Sequence, residues 1–418
     1  MEKEINIGVI GLGNIGSKLL PELEKQSKSF EEETGLFLKI AKTCDINEER
    51  KNSSLPFTKN ALEVLEDKNI DMIVELIGGE YPAYDFVKKA LEKEKNVVTA
   101  NKLLISKYGK GLEEISLQNK CYLRFNAAVG GGMGLIEKLI SHEGNATHTL
   151  LGILNGTTNY ILTRMHEGLD YKKALKEAQK KGFAEANPEF DISGKDATQK
   201  LAILSSINFK TFLSPDRIYR KGIKNIEKED IDFAKDNNYV IKLIALAKKF
   251  GNELDVRVQP VMLPKKHPLA SVNYETNALY MLGNANIKIE GEGAGKPTIA
   301  SIMSDIKNIA SLTNSNYQER HFFGNRQFKI KPAEEVESKF YLKFYGLNKP
   351  GTLHSLTGTL MEEKINIESA LQNSLSEDFV PMFFTTSKTK YGSIKKAVKN
   401  IDKNKLKEGA VLMMADYF

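Results

Sequence analysis

The sequence predicts an α/β protein: a doubly wound parallel sheet, then an α+β domain, then a small C-terminal module of βαββαβ order. Three observations predict it. A Gly-x-Gly-x-x-Gly run, Gly11 to Gly16, stands between a strand-like apolar segment and a helix-like one. Apolar runs over 36–44, 70–77 and 96–99 then alternate with helical spacing over 61–67 and 83–93, which is the order of a parallel sheet with crossover helices. The end of the chain restarts in a new order, with strands at 340–344, 366–371, 380–386 and 410–415 and helices at 352–364 and 393–401.

In chain order, residues 5–10 read as a buried strand, and the glycine loop opens a helix that ends near Gly35, a residue suited to the C-cap. Pro21 lies too deep in that helix for a free position and is expected to kink or delay it. From about residue 129 helical segments dominate, over 171–181, 196–207 and 230–250. A strand is expected over 279–289, then the glycine-rich Gly291–Gly295 and a helix over 297–312. Residues 314–336 are polar and irregular, a linker. The expected domains are therefore 1–128, completed by helix 297–312; 129–313, catalytic and dimerising; the linker; and 337–418.

The bulk numbers exclude several classes. The chain has 418 residues, 41% hydrophobic and 27% charged, long enough for about three globular domains. Its net charge of +6 is small and interleaved with acids, so no nucleic-acid partner is expected. No apolar run approaches the roughly 20 residues of a membrane span, and the N-terminus has no leader pattern. Cys44 and Cys121 form no metal-ligand spacing and suit a reducing compartment, so the expected location is cytoplasmic.

The glycine loop carries the first chemistry. Gly11, Gly13 and Gly16, with Asn14 and Ile15 between them, permit a tight turn, close approach of backbone to a pyrophosphate, and packing of helix on strand. A purely structural glycine turn is the alternative. Asp45, at the end of the second strand, is placed for an adenosine ribose. Further on, Asp196 and Lys200 share a helix face at i, i+4, and from spacing alone they read as a surface ion pair. Their setting argues for more: the helix is otherwise apolar, and an acidic loop containing Glu185 and Asp191 precedes it. Two carboxylates in one loop suit a substrate ammonium group. Asn155-Gly156-Thr157-Thr158 can offer donors to a carboxylate, and Lys102 lies at the carboxyl end of a strand, the ligand edge of such sheets. Gly291–Lys296 lacks the spacing of a phosphate-binding P-loop, with Pro297 where Ser or Thr belongs.

These runs together, Gly152–Tyr160, Gly182–Lys200 and the N-terminal glycine loop, resemble homoserine dehydrogenase over nearly the whole chain. The resemblance implies a Rossmann-type coenzyme domain and NAD(P)H-dependent reduction of L-aspartate 4-semialdehyde to L-homoserine, in the biosynthesis of threonine, methionine and isoleucine. It implies Lys200 as proton donor, Asp196 orienting it, and Lys102 between coenzyme and substrate. Glu185 and Asp191 would hold the substrate amino group, with Gly156 and Thr157 at its carboxylate. Gly293 would lie near the nicotinamide. Family members bind a monovalent cation such as Na+ through backbone carbonyls, here those of Val129, Gly131 and Met133, with Asn126 where an acid is usual. They often carry arginine just before the ribose acid; this chain has Cys44, with Lys39 and Lys42 as candidate substitutes, and NAD or NADP stays open. Asn348-Lys349-Pro350-Gly351-Thr352-Leu353 resembles the ACT domain, which implies an amino-acid effector, threonine being the candidate, and a homodimer or homotetramer. No kinase-sized segment is expected before the glycine loop. Two other readings stay open: a dehydrogenase for another amino-acid aldehyde, and a catalytically idle metabolite sensor.

Overall fold

The strand Lys3–Ile10 (β1) sets the first half of the fold, because Ile5, Ile7 and Val9 alternate onto one buried face while Gly8 and Ile10 fill the other. In the computed structural model, which describes residues 3–141, 146–293, 295–313, 321–372, 378–402 and 406–414, β1 is central to a six-stranded sheet. Its other strands are Leu36–Cys44 (β2), Phe57–Thr58 (β3), Met72–Glu75 (β4), Asn96–Thr99 (β5) and Leu123–Arg124 (β6), in the order β3-β2-β1-β4-β5-β6. Every ladder is parallel. Strand order reverses between β1 and β4, and the loops leaving those two strands flank the crevice where doubly wound sheets take ligands.

Helix Gly16–Thr34 follows the glycine loop and ends at Gly35, whose backbone N–H donates to Glu31 O (2.7 Å) from a left-handed conformation. Pro21 neither delays nor ends this helix. It stands on the exposed face, where the one carbonyl it leaves without a backbone donor can be met by water. Helix Lys296–Leu312 joins the same core: Ile302, Ile306 and Ile309 pack in one cluster with Ile7, Val9 and Leu19.

The chain divides into two compact units. The first comprises Met1–Ala146, Gln199–Pro215 and Gly291–Gln327; the second comprises Thr147–Thr198, Asp216–Glu290 and Phe328–Phe418. Part of the stretch expected as linker is packed. Phe322 and Phe323 are buried beside Phe125, with ring centroids at 4.9 and 5.9 Å, and Phe322 N–H donates to the buried Glu113 carboxylate (2.5 Å). Residues 314–320 lie outside the described residues.

The second unit is built on one twelve-stranded mixed sheet. Its strands are Thr149–Ile153 (β7), Tyr219–Arg220 (β8), Tyr239–Phe250 (β9), Glu253–Pro264 (β10), Thr276–Leu282 (β11), Ile287–Glu292 (β12), Lys329–Ile330 (β13), Glu337–Leu347 (β14), Ile367–Gln372 (β15), Phe379–Thr386 (β16), Thr389–Lys390 (β17) and Leu406–Met414 (β18). The helix expected over 230–250 is instead helix Lys228–Asp236 followed by β9. Residues 241–247 are all buried between neighbouring strands, and that tertiary setting overrides the helical preference of Ala, Leu and Lys. The strand expected over 279–289 is likewise two strands, β11 and β12.

The C-terminal module has the expected βαββαβ order, with helices Thr352–Glu362 and Tyr391–Asn400 and the antiparallel neighbours β18-β14-β16-β15. It is not a detached module. A short parallel pairing, Val261 to Met413 and Met262 to Met414, joins its sheet to β10, and Phe340 and Phe344 share a core with Ile244 and Val261.

Candidate active site

In the first unit the glycine loop is shaped by close backbone approach. Gly11 has φ of 100°, and a Cβ there would lie 2.7 Å from the Leu76 carbonyl carbon of the loop after β4. A Cβ on Gly16 would lie 2.0 Å from Gly11 O, so the helix can begin against the strand end only without a side chain. Gly16→Ala is therefore expected to displace the loop and weaken coenzyme binding about 10-fold or more. A titration of coenzyme against protein fluorescence checks it, and wild-type affinity would show that the loop absorbs the methyl group. Asn14 is exposed at the tip, and Ile15 caps the helix that follows.

Asp45 is buried at the end of β2, and its carboxylate already serves the loop. Oδ2 accepts from Leu12 N–H (2.7 Å) and Arg50 Nη1 (3.2 Å), and Oδ1 accepts from Asn47 N–H (2.9 Å). Burial opposes its ionisation, but the Asn47 and Leu12 amides and Arg50 hold the carboxyl below its ordinary value. Lys39 and Lys42 are paired elsewhere, to Glu4 (2.9 Å) and Asp67 (3.0 Å). The cation that meets Asp45 is Arg50, marked in the sequence only as the first basic residue after that acid.

At the carboxyl ends of β4 and β5 a second buried carboxylate organises the edge. Glu75 accepts from Thr99 Oγ1 (2.6 Å), Ile77 N–H (2.9 Å) and Gly78 N–H (3.1 Å), and burial still pushes its carboxyl upward. Asn101 donates from Nδ2 to Gly79 O (2.7 Å) and caps helix Lys102–Gln118, so Lys102 begins a helix braced to both strand ends. Asn126 donates from Nδ2 to Asp305 Oδ1 (2.6 Å) and Glu137 Oε1 (3.1 Å), which fixes its amide and leaves Oδ1 buried without a hydrogen-bond partner. Val129 ends the short 3₁₀ turn Asn126–Ala128, Gly131 and Met133 lie in a second, and Gly131 O accepts from Ser301 Oγ (2.5 Å). A Cβ on Gly131 would stand 2.9 Å from the Gly293 carbonyl carbon, which accounts for its glycine.

In the second unit, Asn155 gathers two of the expected acids. It caps helix Gly156–His166 by accepting Thr158 N–H (2.8 Å) at Oδ1, and this turns Nδ2 toward Asp191 Oδ1 (2.7 Å) and Asp196 Oδ2 (2.9 Å). Gly156 has the Glu275 carbonyl oxygen 2.5 Å from where a Cβ would be, and Thr157 Oγ1 donates to Phe183 O (2.5 Å). Glu185 is not gathered with these groups; its residue is exposed on the loop after helix Tyr171–Lys180. Helix Lys195–Phe209 begins in the second unit, where it carries Asp196, 2% exposed, and continues into the first, where one turn later it carries Lys200, 8% exposed. An ion pair of the ordinary surface kind does not have both members buried.

A doubly wound dinucleotide sheet, an acid and a lysine buried one turn apart on helix Lys195–Phe209, and a C-terminal βαββαβ module fit an NAD(P)-dependent oxidoreductase acting on a CH–OH group. Family models agree: "Homoserine dehydrogenase, NAD binding domain" matches residues 11–126, "Homoserine dehydrogenase" residues 136–306, and "ACT domain" residues 340–403. The chain is 34% identical to homoserine dehydrogenase of Neisseria gonorrhoeae over 96% of its length and 95% of the relative's. It is 34% identical to that of Bacillus subtilis, covering 88% of each. A crystal structure of homoserine dehydrogenase from Thiobacillus denitrificans superposes with a TM-score of 0.90 at 31% identity, covering 99% of both chains. The chain belongs to the homoserine dehydrogenase family.

Proposed function

We propose that the chain reduces L-aspartate 4-semialdehyde to L-homoserine with Lys200 as the proton donor to the aldehyde oxygen. The observation that carries this reading is the burial of Lys200 one helical turn from Asp196, whose carboxylate is held by the Asn155 amide. A bound nicotinamide coenzyme supplies the hydride. Lys200 stabilises charge developing on the oxygen and delivers its proton there, and Asp196 orients the ammonium group. Asp191 receives the substrate ammonium; Glu185, exposed and apart from the Asn155 cluster, is the second carboxylate that would have to reach it; and Lys102 stands at the coenzyme edge. Glu185→Ala is expected to raise KM for the semialdehyde about 10-fold with little change in kcat, as loss of ground-state binding does. Steady-state kinetics decide it, and a fall in kcat alone would remove Glu185 from substrate binding.

The first unit's residues fit a dinucleotide: the Gly11 and Gly16 approaches leave backbone, not side chain, at the loop. Gly13 and Gly293 would border the coenzyme, and Arg50 favours NADPH, because a 2′-phosphate needs a cation beside the ribose acid. The loop oxygens also suit a monovalent cation such as Na+. The buried Asn126 Oδ1 lacks a donor, and Gly131 O keeps a second lone pair beside the Ser301 hydroxyl. The carbonyls of Val129, Gly131 and Met133 would hold it. We place the activity in threonine, methionine and isoleucine biosynthesis in the cytoplasm, in an oligomer with the ACT module as an amino-acid sensor and threonine as its candidate effector. Threonine at millimolar concentration should then alter rate or melting temperature. Nicotinamide absorbance on mixing the protein with semialdehyde and NADPH or NADH tests the whole reading. Faster oxidation of NADPH supports it, and no oxidation with either coenzyme, from a folded protein that still binds coenzyme, points to a metabolite sensor or another aldehyde.

A further inference from the structure

One face of the second unit's sheet changes character along its length. On β9 and β10 the positions Leu246 and Val261 belong to the apolar core, yet further outward on the same face β9 carries Lys248 and β10 carries Gln259, Arg257 and Asp255. Lys248 stands directly opposite Asp255 in the ladder. Asp255 and Arg257 are 5% and 7% exposed and pair at 2.6 Å. Charges on a core face are expensive unless they have work to do, and apolar residues would have continued this core at lower free energy.

They line a cavity of about 400 Å³. Lys331, Lys339 and Lys388 complete its cationic wall, with Glu337 as the other acid, so five cations face two acids. Three of the five are committed: Arg257 to Asp255, Lys339 to Glu368 (2.9 Å) and Lys388 to Glu337 (3.9 Å). Lys248 and Lys331 instead approach one aromatic ring, Phe250, at 5.0 and 5.4 Å from its centroid. Two ammonium groups converge on that ring, in a space also lined by a buried guanidinium and of the size that takes a small ligand.

We propose that this cavity binds a small dianion of phosphate or dicarboxylate type, held by Lys248, Lys331 and Arg257. None of its lining residues belongs to the glycine loop, to the Asn155 cluster or to the Asn348–Leu353 turn. Binding at this seam would reach β10 and β18, whose short pairing joins the two parts of the sheet.

The test is calorimetric titration and thermal melting of the full chain with sodium phosphate and, separately, sodium succinate, each against sodium chloride at equal ionic strength. A saturable rise in melting temperature is expected, about 3 °C at ten times Kd. It should be lost in the Lys248→Gln/Lys331→Gln double variant, whose two positions are only partly buried and whose melting in chloride should match wild type. A response to phosphate alone assigns a phosphate-type ligand, and a response to succinate alone a dicarboxylate. If neither anion exceeds chloride, the proposal is overturned. It is equally overturned if the double variant responds like wild type, since the anion would then be bound elsewhere, as at the coenzyme loop.

Discussion

Lys200→Ala is expected to lower kcat by about 10²–10⁴ while coenzyme affinity stays within a few-fold of wild type. The size follows from what one buried ammonium group supplies. It offsets charge on the aldehyde oxygen where little water can do so, and it provides the proton. The two contributions can be separated. Lys200→Arg keeps the charge but cannot release a proton near neutral pH, so it should recover part of the loss at most. The pH profile adds a readout that a merely structural lysine would not move: the limb of kcat/KM that reports this group should vanish in both variants. A near-wild-type kcat in Lys200→Ala would transfer the proton to another donor, and Lys102, at the start of its braced helix, would be the next to test.

The parallel sheet was legible because its determinants are local. Three glycines at fixed spacing and short apolar runs require no knowledge of distant contacts, and the strand Asn96–Thr99 falls where its four residues predict. The C-terminal order was legible for the same reason. What the sequence concealed depends on burial. β9 is written in helix-forming residues and is a strand only because strands flank it on both sides. Phe322 and Phe323 sit in a polar context that reads as linker, and only their packing against Phe125 shows otherwise. In the candidate site, the acid cluster was legible but its organiser was not. Asn155 looks like one more polar residue until its cap geometry aims Nδ2 at Asp191 and Asp196. Charge partners were the least legible of all. Lys39 and Lys42 precede Asp45 on its strand and yet are paired to Glu4 and Asp67, while Arg50, five residues beyond, meets its carboxylate.

Lys343→Ala is expected to cost about 3–5 kcal/mol of stability, the largest effect of any substitution away from the active site. Lys343 lies on β14 with its side chain fully buried, and its Nζ stands 3.1 Å from Asp230 Oδ2 and 2.6 Å from Glu227 Oε2. Asp230, equally buried, also accepts from Tyr341 OH (2.8 Å) and from Glu227 N–H (2.8 Å). The network thereby fastens helix Lys228–Asp236 to the C-terminal module's sheet. Burial opposes the charge on Lys343, but the two carboxylates outweigh it and hold the ammonium above its ordinary value; burial pushes Asp230 upward even with Lys343 beside it. Removing the lysine leaves Asp230 as a buried acid without its cation, and its folded-state pKa should climb further. The sign of the pH dependence then follows. An acid whose pKa is raised on folding binds more protons folded than unfolded. Stability therefore falls as pH rises from the unfolded value of about 4 toward the raised one. The variant should lose more stability at pH 7 than at pH 5, relative to wild type. Restoring an apolar pair with Lys343→Met/Asp230→Leu should return most of the loss and flatten that dependence. Urea unfolding at the two pH values measures both effects, and a loss below about 1 kcal/mol, the range of a solvated surface pair, would mean that water reaches the site and the network is not a fastening.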